Sequence, residues 1–287
     1  MIETALMVEA LLINTNSGGD IIEKKFNTGG EVISFTVITR TDGKSVSKVI
    51  RPDGQGGIFK TASANISQGS MQRVAMPFVK FGQFIRSLSN NQAIAHGVPI
   101  NHGGDDYQKF SFGVMGQEDP PKKLSRSKKF LGYPTDTHCL CMFDHDPKPG
   151  QQYLAPEELI KIICGIVPDF DNCPTWSTPS TSAYIYDLEG NALSGEGAGF
   201  HLYFPFNNPA LLPTFVDTLF KRLWLAGHGY VFVSKGGALL ERTNFDTAVF
   251  SPERLDFVSG AICENCKQRL PEPVFRIGKK EFLYENK

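Results

Sequence analysis

The sequence predicts an α+β fold, in which a ferredoxin-like (RRM-like) βαββαβ core follows an additional N-terminal α/β portion. Between residues 136 and 270, apolar runs typical of strands alternate with two amphipathic helical patterns in that order. Hydrophobic residues make up 41% and charged residues 21% of the 287-residue chain, as in ordinary globular proteins. No apolar run reaches the roughly 18 residues that a membrane-spanning helix needs. We therefore expect one or two globular domains and no membrane partner.

The N-terminal portion, residues 1–100, contains a predicted hairpin and a predicted helix. Two alternating apolar runs within 30–60 flank Asp42-Gly43, a strong signal for a hairpin turn. Apolar residues at helical spacing predict a helix over 74–88. Residues 101–135 are rich in Gly, Pro and basic side chains, so we expect a linker or basic loop there.

Each element of the predicted core, residues 136–270, has a local signal. The first helix begins at Pro156, and the second is capped by Asn208 and ends at Gly227. Residues 271–287 are expected to form a C-terminal tail. The predicted strands are 138–143, 183–186, 200–204 and 230–233.

Two carboxylates, Asp144 and Asp146, end the first predicted strand. Residues two apart on a strand point the same way, so the pair repels unless one carboxyl is protonated or a cation lies between them. Magnesium favours such carboxylates together with substrate phosphates. The first and third strands of a βαββαβ sheet are neighbours, which places His201 on the same face. Taken alone, an Asp-x-Asp pair after a strand is more often a loop cap or a turn.

Further charged residues are candidates for the same site. Asp246, at the edge of a later strand, is the third candidate metal ligand. Arg254 offers a planar fork of donors that suits a triphosphate, and Lys235 is a second candidate phosphate contact. For each of these two, an exposed surface position is the alternative. A basic cluster is either a contact to a nucleic-acid backbone or a solvated surface: Lys122, Lys123, Arg126, Lys128 and Lys129.

Cysteine content and charge narrow the class of protein. Cys263 and Cys266 have the spacing of half a zinc site, but no second half is evident, so a reduced pair without metal is the alternative. The net charge of −1 excludes a globally basic nucleic-acid coat but not a local basic groove. The N-terminus lacks the basic region of a secretory signal, so a cytoplasmic location is expected.

Three short motifs carry a resemblance to a known family. Phe143-Asp144-His145-Asp146, Gly199-Phe200-His201 and Phe245-Asp246 resemble the Asp-hydrophobic-Asp/Glu, small-x-His and hydrophobic-Asp motifs of the archaeo-eukaryotic primase superfamily. The sequence over 180–187 and 251–257 also looks like that of primase or primase-polymerase modules of bacterial plasmids, phages or integrative elements. The likeness covers about 130–270.

Two positions depart from the family pattern. The His triplet begins with Gly199 where the family usually has Ser, so one hydroxyl contact to the nucleotide is either missing or supplied elsewhere, with Ser194 as the candidate. The middle residue of the Asp pair is His145, where the family is usually apolar. Neither departure removes a candidate metal ligand.

The resemblance implies a template-dependent nucleotidyltransferase, a DNA primase or primase-polymerase. Asp144, Asp146 and Asp246 would hold two Mg²⁺ or Mn²⁺ ions. His201 and Arg254 would bind the triphosphate of an NTP or dNTP. A single-stranded DNA template and a replicative helicase are the expected partners, and no P-loop occurs in the chain.

Two other functions fit the same residues. One is a non-catalytic replication initiator that binds single-stranded DNA, with Tyr184, Tyr186 and Tyr203 stacking bases. The other is a metal-dependent nuclease that uses the same carboxylates. The nuclease needs a group that positions water, and the sequence offers no clear candidate for it.

Overall fold

The computed structural model describes residues 30–66, 68–100, 110–112, 123–148, 151–194, 199–234 and 236–278, with backbone alone at 110–112 and 123–124. It is a mixed α+β structure, as the sequence predicts, with several sheets and few helices. The helices are α1 (Phe81–Ser87), α2 (Pro156–Ile166) and α3 (Leu212–Leu225). None of the helices in the described part of the chain is long and apolar enough to cross a membrane.

The main sheet has ten strands, contributed by both halves of the chain. Eight of them follow one another in the order β20-β11-β14-β10-β1-β4-β7-β8, while β5 pairs with β1 and β17 with β5. The strands of this sheet are β1 (Val32–Arg40), β4 (Gly69–Pro77), β5 (Gln92–Ala95), β7 (Phe110–Phe112), β8 (Lys123–Leu124), β10 (His138–His145), β11 (Thr175–Pro179), β14 (Phe200–Phe206), β17 (Leu255–Asp256) and β20 (Val274–Arg276).

Four smaller sheets surround the main one, with the strand orders β18-β2-β3, β13-β12-β19, β15-β16 and β6-β9. Their strands are β2 (Lys48–Pro52), β3 (Ile58–Ala62), β6 (Val98–Pro99), β9 (Leu131–Gly132), β12 (Ile185–Tyr186), β13 (Ala192–Ser194), β15 (Tyr230–Val233), β16 (Leu239–Arg242), β18 (Ile262–Cys263) and β19 (Lys267–Gln268).

One edge of β1 pairs with two different strands along its length. Ile33 and Ser34 pair with the start of β10 in parallel, whereas the stretch from Thr36 to Thr39 pairs with β5. Beyond Ser34 this edge of β1 turns to β5, so the later residues of β10 do not pair with β1. Asp144 lies in this later part of β10.

Alternation along β10 sends its side chains into two different cores. Cys139, Cys141 and Phe143 pack in the cluster that holds residues of α2 and α3. Leu140 and Met142 pack on the opposite face with residues of β1, β14 and α1. By the same alternation Asp144 belongs to this second face, which the two longer helices do not cover.

Several predicted elements are confirmed and others are wrong. The helices after Pro156 and Asn208 form, and Asn208 Oδ1 accepts a hydrogen bond from Ala210 N at 3.2 Å. The predicted hairpin within 30–60 is wrong, because β1 pairs with β4, β5 and β10 while β2 pairs with β3 and β18. The helix expected over 74–88 is shorter than predicted. Its α-helical part is α1, because the residues up to Pro77 belong to β4 and pair with β1.

The complete βαββαβ unit is not confirmed. Its first four elements have counterparts in β10, α2, β11 and β14, with β14 between β10 and β11 as in a split βαβ arrangement. The strand expected over 183–186 is mostly absent, because Tyr184 has a left-handed backbone (φ 57°) and only β12 remains. The last strand, β15, forms as predicted, but among the described residues it pairs with β16 and not with the main sheet.

The strands on either side of the expected domain boundary share hydrogen bonds. β5 from the N-terminal portion pairs with β17, and β1 pairs with β10. Residues 271–287, expected to be a tail, contribute β20 at the edge of the main sheet, and 279–287 lie outside the described residues. The N-terminal portion is therefore part of the same sheet as the candidate site.

Candidate functional site

Asp144 and His201 face each other across two neighbouring strands. They are direct Cα partners in the antiparallel pairing of β10 with β14. The Nε2 atom of His201 lies 3.7 Å from Oδ1 of Asp144, and the histidine side chain is largely buried. Their expected convergence on one face, inferred from strand order alone, is confirmed for this pair.

The two strand-end carboxylates have opposite electrostatic environments. Burial raises the pKa of Asp144 above its ordinary value; the attraction of His201 opposes this shift, and the negative charge of Asp146 adds to it. Burial also acts to raise the pKa of Asp146, but its ion pair with Lys148 (Nζ–Oδ2 2.5 Å) outweighs burial and lowers that pKa. Of the two, Asp144 is thus the carboxylate whose ionised form is disfavoured.

Asp246 reaches the same place through its backbone. Its N–H donates to the carbonyl oxygen of Asp144 at 3.0 Å, in the part of β10 that does not pair with β1. Its own carboxylate caps a short 3₁₀ turn, Thr247–Val249, by accepting from Ala248 N at 3.0 Å. The third predicted motif is therefore next to the first, with one carboxylate oxygen engaged locally.

The two departures from the family pattern have structural explanations. The buried His145 ring makes an Nδ1 contact of 2.7 Å with the Asn244 carbonyl and accepts from Leu154 N at Nε2 (3.1 Å), which fixes Nδ1 as the donor. It thereby ties two loops to the end of β10. Gly199 has φ +103°, and a Cβ there would collide with the carbonyl oxygen of His145. A serine is excluded at that position.

Sequence reasoning missed Asp256, the carboxylate at the centre of the buried network beside Asp144. Only 4% of the residue is exposed, yet it contacts three polar side chains. Tyr203 donates its hydroxyl to Oδ2 at 2.7 Å, His96 Nε2 lies 3.3 Å from Oδ2, and His201 Nδ1 lies 3.2 Å from Oδ1. An acidic residue between Leu255 and Phe257 in an apolar strand is the signal that could have found it, since buried carboxylates are almost always paired.

The charges of this network are mutually dependent. Burial acts to raise the pKa of Asp256, but the positive charge and hydrogen bonds of His201 and His96 outweigh it, so this pKa lies well below its ordinary value. Burial acts to lower the pKa of His201, and the charges of Asp256 and Asp144 outweigh it and raise that pKa. The arrangement favours a cationic His201 next to an anionic Asp256.

Lys48 on β2 was also missed. This half-buried lysine is within electrostatic reach of Asp144, Asp146 and Asp256. Burial and the neighbouring Lys60 lower its pKa, while the three carboxylates oppose that shift. β2 and β3 therefore bring positive charge to the site from a separate small sheet.

Of the two predicted phosphate contacts, the structure describes Arg254. Arg254 is exposed, two residues before Asp256. Arg126 donates to the Glu253 carbonyl at 2.9 Å, so the basic loop packs beside the segment that carries Arg254. The lysines at 128 and 129 are exposed; those at 122 and 235 lie outside the described residues, and at 123 only the backbone is described.

Three other candidates have local structural roles. The Ser194 hydroxyl donates to the Ser182 carbonyl at 2.6 Å and accepts from Ile185 N at 3.3 Å. Both hydrogen bonds therefore stabilise the region of the β12–β13 pair. Tyr203 is fully buried and cannot stack an exposed base. Cys266 is buried with its thiol directed at the Ile50 carbonyl (3.5 Å), and Cys263 is half-buried beside it.

The donor chemistry of the site fits a hard divalent cation. Asp144, Asp146 and Asp246 offer oxygen ligands, which magnesium and manganese prefer. Within the described ranges, however, no three His, Cys, Asp or Glu side chains are gathered closely enough to hold a metal ion. This applies equally to the cysteine pair, which has no further ligand among those residues.

Comparisons with known proteins found no relative of this chain: no protein-family model, curated protein or solved structure matches it. The cluster places Asp144 beside a buried histidine whose pKa is raised, with Asp146 two residues further along the chain. Exposed arginine and lysine side chains lie on the neighbouring segments. Such a combination can bind a divalent cation together with a phosphorylated ligand.

Proposed function

We propose that this chain is a template-dependent nucleotidyltransferase, a DNA primase or primase-polymerase that makes or extends primers from NTP or dNTP. The observation that carries the proposal is the pairing of Asp144 with His201, with Asp246 bonded to the Asp144 carbonyl. Three motifs that are remote in sequence thus meet at one end of β10. The resemblance of these motifs to those of primases supplies the reaction class, and replication of a mobile genetic element is the proposed setting.

The proposed roles follow from charge and position. Asp144, Asp146 and Asp246 would hold Mg²⁺ or Mn²⁺, which, when bound, neutralises charge on the phosphates and activates the attacking hydroxyl. His201 presents its Nε2 atom to the ligand beside Asp144. Lys48 on β2 is within electrostatic reach of the same carboxylates, so its charge would favour the negative charge of a triphosphate.

The basic loop supports a role for single-stranded DNA. Arg126 is held against the Glu253 carbonyl, and Lys128 and Lys129 are exposed beside it. Lysine and arginine side chains on one surface attract the phosphate backbone without sequence preference. A template bound here would pass close to Arg254, which lies on the segment that leads to Asp256.

One assay separates this function from the two alternatives. The protein is incubated with a single-stranded template, labelled NTP or dNTP and Mn²⁺ or Mg²⁺, beside the double variant Asp144→Asn/Asp146→Asn. An elongated product that the variant does not make supports the primase, and a shortened template supports a nuclease. Template binding without product in either protein supports the non-catalytic initiator.

The matched control is Asp217→Asn, which removes an exposed carboxylate paired only with Lys221 on α3. We expect this control to retain full activity, whereas the double variant loses at least about 100-fold, the usual scale for removing a group that stabilises transition-state charge. Equal activity in wild type and double variant would contradict the assignment of the carboxylates. The absence of any metal-dependent product from the wild type would contradict the function itself.

A further inference from the structure

The buried Asp256 carboxylate has no role in the function proposed above, yet it contacts a residue of the site. It lies on β17, while its partners come from β14 and from the segment after β5. Burying a carboxylate is costly unless hydrogen bonds and opposite charge compensate for it. Here compensation comes from one hydroxyl and two imidazoles, the side chains of Tyr203, His96 and His201.

Donor and acceptor accounting fixes the orientation of the His201 ring. Tyr203 has one hydroxyl hydrogen, and the 2.7 Å contact with Asp256 Oδ2 uses it. The Tyr203 oxygen must therefore accept from His201 Nδ1, which lies 3.1 Å away. Nδ1 thus carries a hydrogen, and it lies 3.2 Å from Asp256 Oδ1 as well. The other ring nitrogen, Nε2, is left to face Asp144 and the site.

We infer that Asp256 is a positioning residue for nucleotide binding. Directly and through the Tyr203 hydroxyl, it holds the His201 ring with Nδ1–H pointing inward, so that Nε2 is directed at the anionic phosphate of the nucleotide beside Asp144. Carboxylates that hold the inner nitrogen of a functional histidine in this way fix its tautomer and its orientation. This inference rests on the proposed function, because it takes His201 as a nucleotide ligand.

The N-terminal portion completes the arrangement. His96 is buried and contacts the same Asp256 oxygen as Tyr203, and Ile94, two residues earlier, is the Cα partner of Asp256 in the β5–β17 pairing. The carboxylate is therefore held from both sides, by β5 and by β14. Its position depends on the strand pairing that joins the two halves of the chain.

The kinetic test compares Asp256→Asn, Tyr203→Phe and His201→Ala. All three should raise the KM for dATP or ATP about tenfold in the presence of Mn²⁺, with a smaller change in kcat. In the His201→Ala background, Asp256→Asn should add nothing further, because its effect is exerted through the ring. An Asp256→Asn effect that is undiminished in that background, or an unchanged KM in the single variant, would overturn the inference. Asp217→Asn is the control for loss of an exposed carboxylate.

A second readout does not depend on activity. The ¹⁵N chemical shifts of the His201 ring, assigned by comparison with His201→Ala, report which nitrogen carries hydrogen. We expect a hydrogen on Nδ1 in the wild type, beside the one on Nε2 that faces the ligand, and a population of rings without the Nδ1 hydrogen in Asp256→Asn. A wild-type ring without hydrogen on Nδ1, or identical shifts in both proteins, would contradict the positioning role. If the wild type binds no nucleotide, the proposed function fails, and the ring measurement still decides whether Asp256 orients His201.

Discussion

Replacing His145 by Leu tests whether this ring is the structural link between β10 and the two loops that reach the site. The sequence resemblance leads one to expect an apolar residue here, so leucine would be harmless if packing were all that mattered. In the structure the ring contacts the Asn244 carbonyl at 2.7 Å and accepts from Leu154 N at 3.1 Å. Leucine fills similar space and makes neither bond.

The expected loss follows from those two hydrogen bonds. Each main-chain group left without its partner costs about 1–3 kcal/mol when it is buried. Both bonds are part-buried, so we take the lower half of that range and expect about 2–4 kcal/mol in total. With a urea m-value of about 3 kcal/mol/M for a protein of this size, the unfolding midpoint should fall by about 1 M.

Urea unfolding followed by circular dichroism measures this shift, with His138→Leu as the control. His138 is half-buried at the start of the same strand. The control therefore makes the same His-to-Leu change without removing the two hydrogen bonds of His145. The control should unfold within about 0.3 M of the wild type, since changes away from such networks usually cost little. His145→Leu unfolding at the wild-type midpoint would show that the loops do not depend on the ring.

Four further outcomes are expected. Asp144→Asn should abolish primer extension without lowering the urea midpoint, because it removes a charge that burial disfavours; a clearly lower midpoint would contradict this account. Lys48→Met should weaken binding of the triphosphate about three- to tenfold at low salt, with the exposed Lys44→Met as control; equal affinities in a titration would exclude Lys48 from the site. Gly199→Ser should reduce both activity and stability, because its positive φ and the His145 carbonyl leave no room for a side chain; an active, stable variant would refute this. The pKa of Asp256 is below its ordinary value of 3.8 in the folded chain, so its stabilisation is present above pH 3.8 and lost as the pH falls further. The urea midpoint of the wild type should therefore fall more steeply than that of Asp256→Asn as the pH decreases from about 5 to about 3, and parallel curves would count against a depressed pKa.

Much of the site could be predicted because its signals are local. The apolar run before Asp144, the proline that begins α2 and the cap at Asn208 each determine an element within a few residues, and these elements form. The adjacency of Asp144 and His201 followed from strand order, since a split βαβ arrangement brings its first and third strands together.

Other features depend on which strands pair, and a strand does not encode its partner locally. The alternation within 30–60 predicted strands correctly but paired them wrongly, because β1 is a central strand with neighbours from both halves of the chain. The strand over 183–186 was misplaced because the left-handed backbone of Tyr184 arises in the folded context.

By itself, then, the sequence determined the α+β class, the two longer helices and the pair of strands that carries Asp144 and His201. Only the tertiary structure decided that Asp256 and Lys48 join them. Lys48 lies in the N-terminal portion and Asp256 lies after the last predicted strand of the core, and each enters the site through a pairing between distant segments, β2 with β18 and β17 with β5. The physical reason is that periodicity reports which face of an element is buried, whereas the identity of the neighbour on that face is set by the packing of the whole chain.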